Sequence, residues 1–204
     1  YGTINSVTLA LYALGFALVY GVSRLPNFAH GAIYVLSGFI AWSVINTLGL
    51  NHLLAIVITM VVTALIGSAI YLIFLIRVRG MAISEIIASY AIALAILEGL
   101  RWKGFKGMTY TLPVFIEGST SIAGVSVDYQ RLLVVGVGAA LVAFLWVFTH
   151  HTRIGLALRG MAQDERAALM LGIDSDVMAV VAMGLGSMLA ALAALMLLPL
   201  GNIV

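Results

Sequence analysis

Six long apolar runs, divided by short charged or glycine-bearing breaks, limit this chain to very few folds. They lie at about Ile4–Tyr20, Ala32–Leu48, Leu53–Ile76, Met81–Leu100, Leu132–Phe148 and Val177–Leu198. A hydrocarbon core about 30 Å thick needs about 20 apolar residues at about 1.5 Å of helical rise each. The first, second and fifth runs are short and need interfacial residues to complete a crossing. Residues 1–204 are therefore expected to form one all-α, polytopic transmembrane helix bundle.

Composition closes off the alternatives. Of the 204 residues, 63% are hydrophobic and 9% charged, with mean hydropathy +1.17. Soluble domains carry roughly 25% charged residues, so this chain cannot clothe a water-facing catalytic domain. The absence of cysteine excludes disulfides and thiolate metal sites. A formal charge of +2, with Lys and Arg confined to loops, does not fit nucleic acid as a partner. The chain opens at Tyr1, without a basic leader, and stops at Val204 just past an apolar run; it is expected to be a fragment of a longer protein.

The breaks set the orientation. Arg24 and Pro26 interrupt the first pair of runs, and Arg77, Arg79 and Gly80 separate the third from the fourth. Arg153, Arg159 and Arg166 precede the sixth. By the positive-inside rule and parity, the loops at 77–80 and 149–176 face the cytoplasm, and 101–131 faces outside. That outer loop carries Lys103, Glu117, Ser119 and Asp128, but also Arg101, Lys106 and Arg131. Residues 22–31 fit either a cytoplasmic turn or a break inside the bilayer.

Small residues recur at every fourth position in three runs: Ala13, Ala17 and Gly21; Ala91, Ala95 and Gly99; and Ala182, Gly186, Ala190 and Ala194. Such rows let helix backbones approach closely in lipid, where no hydrophobic force drives association.

No metal or nucleophile constellation is evident. His150 and His151 are adjacent, diverge by about 100° on a helix, and read as interfacial residues. Glu85 suits a helix N-terminus, and Glu98 has Arg101 three residues on. The segment Pro26-Asn27-Phe28-Ala29-His30-Gly31 combines a missing backbone donor, two polar side chains and a flexible glycine between apolar runs. It is either an ordinary turn or an irregular, protein-shielded break that holds its shape or lines a solute path.

The stretch from Ile154 to Leu171 has helical composition, with Ile154, Leu158, Met161 and Ala168 near one face. Thr152 is the expected N-cap, and Gly172-Ile173 has the form of a glycine stop. Asp174 or Ser175 would cap the helix that follows. One short helix outside the bilayer is expected, serving as a connector or as a handle for a soluble partner.

Three stretches carry a family resemblance: YALGFALVYGVSRLPNFAHGAIYVLSG at 12–38, TRIGLALRGMAQDERAALMLGID at 152–174, and MGLGSMLAALAAL at 183–195. The chain resembles the permease subunits of ABC importers for branched-chain amino acids. The resemblance implies about six of roughly eight spans and no ATPase site or cofactor of its own. It also implies an inner-membrane location and transport by alternating access. The implied partners are a second related permease, two ATP-binding subunits and an external solute-binding protein. Residues 150–176 would be the coupling region, with Arg159, Gly160, Ala162, Asp164, Arg166, Ala167, Ala168 and Gly172 as its contact residues. Asn27, His30 and Gly31 would belong to the solute path or helix break. The importer pattern of Glu-Ala-Ala followed by Gly stands here as Arg166-Ala167-Ala168 with Gly172, and no Pro completes it. Rival readings are a permease of the same superfamily for urea, amides or sugars, or a secondary transporter or channel. The latter would be expected to show internal repeats and paired intramembrane ions.

Overall fold

Each apolar run is a helix whose ends depart from those of the run by up to three residues. The computed structural model describes residues 2–23, 26–103, 118–122 and 125–200. In chain order the elements begin with α1 (Gly2–Ser23), α2 (Ala29–Leu48), α3 (His52–Ile73, then a 3-10 turn at Leu75–Arg77) and α4 (Ala82–Lys103). A hairpin of β1 (Ser119–Ile122) and β2 (Val125–Asp128) follows, then α5 (Tyr129–His151). Two short helices, α6 (Arg153–Gln163) and α7 (Glu165–Met170), lead into α8 (Ser175–Leu197). Among the described residues, α2, α3, α4, α5 and α8 are long and apolar enough to cross a membrane, while in α1 the apolar stretch is Leu9–Val22. Arg24, Lys106 and Glu117, assigned above to loops, lie outside the described residues.

The hairpin is antiparallel, with Ser119 opposite Asp128, and the Tyr129 N–H donates to the Gly118 carbonyl at 3.0 Å. That bond seats the hairpin on the first turn of α5. Within the outer loop expected at 101–131, residues 119–122 and 125–128 pair as this hairpin.

The helix nearest the end of the chain occupies the middle of the bundle. In α8, 72% of the spanning window is buried, against 11% in α5 and 17% in α4. Its small row, Ala182, Gly186, Ala190 and Ala194, is buried throughout. A Cβ on Gly15 of α1 would lie 2.9 Å from the Gly186 carbonyl oxygen, so the α1 and α8 backbones nearly touch there. On the α3 side, the Ser68 hydroxyl donates to the Val180 carbonyl at 3.3 Å. Close backbone approach and hydrogen bonding across helices are what lipid leaves available to hold helices together.

The other two rows do not serve this purpose within the chain. Ala13 and Ala17 are exposed and Gly21 half-buried, and α1 meets α8 through Gly15 instead. Ala91, Ala95 and Gly99 all face outward from α4. A four-residue period locates a face of a helix without saying what that face meets.

Candidate functional site

The 152–174 region is built from capping groups. The Thr152 hydroxyl oxygen accepts from the Gly155 N–H at 2.9 Å and starts α6 where expected. The single helix expected from the sequence is divided at Asp164, whose backbone is extended (φ −148°, ψ 103°). The Asp164 carboxylate accepts from the N–H groups of Arg166 and Ala167 at 2.9 and 3.1 Å. A side chain that satisfies two orphan amides makes a new helix start better than a continued helix. At the far end, Gly172 is left-handed at φ 81°. Its N–H donates to the Leu169 carbonyl at 3.0 Å, and the Ile173 N–H to the Ala168 carbonyl at 3.1 Å. These are the paired bonds of a Schellman stop. Asp174 then caps α8 through the N–H groups of Asp176 and Val177.

The candidate contact residues separate into two sets. Leu158 and Met161 are buried, and Ala168 is 2% exposed, so Ala168 packs inward. Leu158 packs with Val22 of α1 and Ala182 of α8. Ile154, placed on that inner face from the sequence, points outward. Ala162, Asp164, Arg166, Ala167 and Gly172 are exposed, and Arg159 and Gly160 are half-buried. Sequence reasoning missed the apolar end of α7, where Leu169 is 48%, Met170 89% and Leu171 81% exposed.

A second missed feature is the bonding of Arg79, read from the sequence only as a marker of orientation. Its guanidinium donates to Glu165 at the start of α7 at 3.0 Å, to Asp176 in the first turn of α8, and to the Tyr71 hydroxyl at 3.1 Å. The Tyr71 hydroxyl itself donates to Asp176 at 3.0 Å. Burial of the guanidinium opposes its charge, but the Asp176 hydrogen bond and the nearby Tyr71, Asp176 and Glu165 outweigh it and raise the Arg79 pKa. The contact also puts the α3–α4 turn and α6–α7 at one end of the bundle.

The junction between α1 and α2 sits inside the bundle. Asn27 is 7% exposed and His30 2%. The Asn27 amide donates to the Met183 sulfur at 3.2 Å, nine residues beyond the α8 cap, or about 13 Å along that helix. Its carbonyl oxygen accepts from the Ala29 N–H at 3.0 Å, and Ser89 of α4 accepts from the Phe28 N–H at 3.3 Å. Every amide from Phe28 to His30 has a protein partner, the third being the Asn27 backbone carbonyl. Irregular backbone buried away from water requires this. His30 and Gly31 are not part of the irregular stretch, because α2 already begins at Ala29. His30 Nε2 lies 3.4 Å from the Tyr12 carbonyl oxygen. Its ring lies between Tyr12 and Phe16, with centroids at 5.0 and 6.0 Å.

The remaining candidates are peripheral or small. Glu98 and Arg101 pair at 2.9 Å with both side chains mostly exposed. His150 stacks on Trp146 at 4.9 Å in the last turn of α5. Glu85 borders a cavity of about 20 Å3 beside Asn27, Tyr71 and Met183, room for about one water. An apolar groove between α1 and α5, lined by Leu14, Gly138, Val142 and Trp146 among others, has no charged side chain for a zwitterion. Among the described residues, no three His, Cys, Asp or Glu side chains gather to hold a metal.

The family model for the permease component of branched-chain amino acid transport systems matches residues 1–204. The chain belongs to this family. The high-affinity branched-chain amino acid transport permease BraD of Pseudomonas aeruginosa is 31% identical over 209 residues, covering 96% of this chain and 67% of the relative. LivH of Escherichia coli K12 is 26% identical, covering 95% of this permease and 68% of the relative. A probable LivH of Methanocaldococcus jannaschii is 29% identical over 182 residues, covering 85% and 56%. No solved structure matches the permease. Family membership and its apolar helices make it a multi-pass membrane protein.

Proposed function

We propose that this permease is the membrane-spanning subunit of an ATP-driven importer of branched-chain or related amino acids in the inner membrane. In this reading the end carrying α6 and α7 is cytoplasmic, and two ATP-binding subunits dock there and supply the hydrolysis. A second, related permease completes the pathway, and an external solute-binding protein delivers the amino acid. ATP-driven closure of the docked subunits displaces α6 and α7. The spans then shift between inward- and outward-open states, each favoured by what it binds.

One observation carries the reading. In a member of a permease family, Leu169, Met170 and Leu171 stand exposed on a helix outside the bundle, and its backbone is fixed by Asp164 and Gly172. A cluster of exposed apolar side chains marks a surface that meets another protein or the membrane, and Met is enriched in protein interfaces. The test is to replace Met170 and Leu171 together with Asp and purify the permease with its ATP-binding subunits. The subunits should be lost from the complex while the permease still accumulates in the membrane. Full retention with unchanged uptake would place the docking contact elsewhere. Solute class is tested by uptake of labelled leucine, which valine and isoleucine should compete and urea should not.

A further inference from the structure

Arg79 sits in the tight turn between the end of α3 and the start of α4, where the Met81 N–H donates to the Val78 carbonyl at 3.1 Å. Its two carboxylate partners come from opposite sides of the elbow joining α7 to α8. Glu165 is the first residue of α7, and Asp176 lies in the first turn of α8. One guanidinium therefore touches the helix that presents the exposed apolar end and the helix at the centre of the bundle. Arginine suits this task because its planar fork can bond two carboxylates in fixed directions, which an ammonium cannot.

We propose that Arg79 is the positioning residue through which a displacement of α7 reaches the α3–α4 turn. The inference deepens the reading of α6 and α7 as the ATPase-contacting surface and rests on it. Two features favour transmission over a fixed staple. The Glu165 and Asp176 side chains are 39% and 50% exposed, so water competes for them and the bonds can break and re-form. The far side of the turn is α4, one of the least buried spans, packed chiefly against α2. A pull on Arg79 moves the base of a peripheral helix while α8 remains held by its small-residue packing.

The experiment uses the complete importer with every cysteine replaced outside residues 1–204, which themselves hold none. Spin labels are placed at Ala82, at the base of α4, and at Ala167, on α7, both exposed in this chain, and uptake per ATP is measured on the unlabelled complexes. With Arg79 present, the label distance should be narrow and should shift when ATP binds. Arg79→Ala should broaden it and reduce uptake per ATP hydrolysed by at least about fivefold, the lower end of typical coupling between sites. Glu165→Gln leaves the Asp176 bond in place and should give the same loss of coupling with a normally assembled complex. Arg79→Lys should fall between. Unchanged uptake per ATP in assembled Arg79→Ala and Glu165→Gln complexes overturns the proposal, whatever the distances show. If the unsubstituted complex shows no ATP-driven uptake, the functional reading fails separately. The label distance then decides the mechanical tie, and an unbroadened distance in Arg79→Ala overturns it.

Discussion

A methyl group on Gly15 would lie 2.9 Å from the carbonyl oxygen of Gly186, and one on Gly186 would lie 3.0 Å from that of Gly15. The two residues meet backbone to backbone, so neither neighbour has a flexible side chain that can yield. Gly15→Ala should cost about 1–3 kcal/mol, the usual range for overpacking a tight contact. It should read as a lowered Tm of the detergent-solubilised permease. Gly99→Ala is the control, because a Cβ there meets nothing within 4 Å. An unchanged Tm for Gly15→Ala would mean that α1 and α8 are not held at this crossing.

Gly172 closes α7 at φ 81°, a conformation that costs a side chain with a Cβ about 1–2 kcal/mol. Gly172→Val should distort the elbow, and uptake should fall while the membrane-inserted subunit still accumulates. Gly172→Asn should be milder, since Asn tolerates the left-handed region. Equal uptake by all three forms would show that the geometry of the stop is irrelevant to transport.

Asn27, only 7% exposed, joins the start of α2 to Met183 of α8. Asn27→Ala should leave the Ala29 amide unpaired at a cost of about 1–3 kcal/mol. His30→Ala removes a buried ring from between Tyr12 and Phe16. Both should lower uptake per assembled complex more than Ile83→Ala, whose side chain is 76% exposed. Cysteines at 27 and 30 should resist aqueous thiol reagents. Ready labelling together with normal uptake would return the segment to an ordinary turn.

Orientation can be read with one reagent. Ser119 in the hairpin and Ala167 on α7 are both exposed and lie towards opposite ends of the bundle. In sealed, right-side-out cells an impermeant maleimide should label Ser119→Cys and leave Ala167→Cys untouched until the membrane is opened. The reverse pattern would invert the topology and remove α7 from the cytoplasm.

The helices under the apolar runs were legible because hydropathy sums many residues, so single exceptions hardly matter. Their ends were less so: α5 runs from Tyr129 to His151 rather than from Leu132 to Phe148, since polar interfacial residues stay helical where the apolar sum has ended. Thr152 and Gly172 were readable because capping chemistry is local. Asp164 was local too, but it stood in a run of good helix formers that masked its effect. The burial of the α8 row, and the exposure of those on α1 and α4, could not be read, because lipid and protein interior are equally apolar. Nor could the bonds of Arg79, whose carboxylate partners lie 86 and 97 residues away and leave no mark at short spacing.

The central place of α8 fixes when the bundle can close. Gly15 leaves the ribosome about 170 residues before Gly186, a wait of roughly ten to thirty seconds at ordinary rates of synthesis. Throughout that interval α1 and α3 lack the helix they share, and Asn27 lacks Met183. The nascent spans must therefore persist in the membrane as loosely associated helices, with a polar junction open to whatever the insertion machinery provides. The packing of α1, α2 and α3 into one core waits on the arrival of α8.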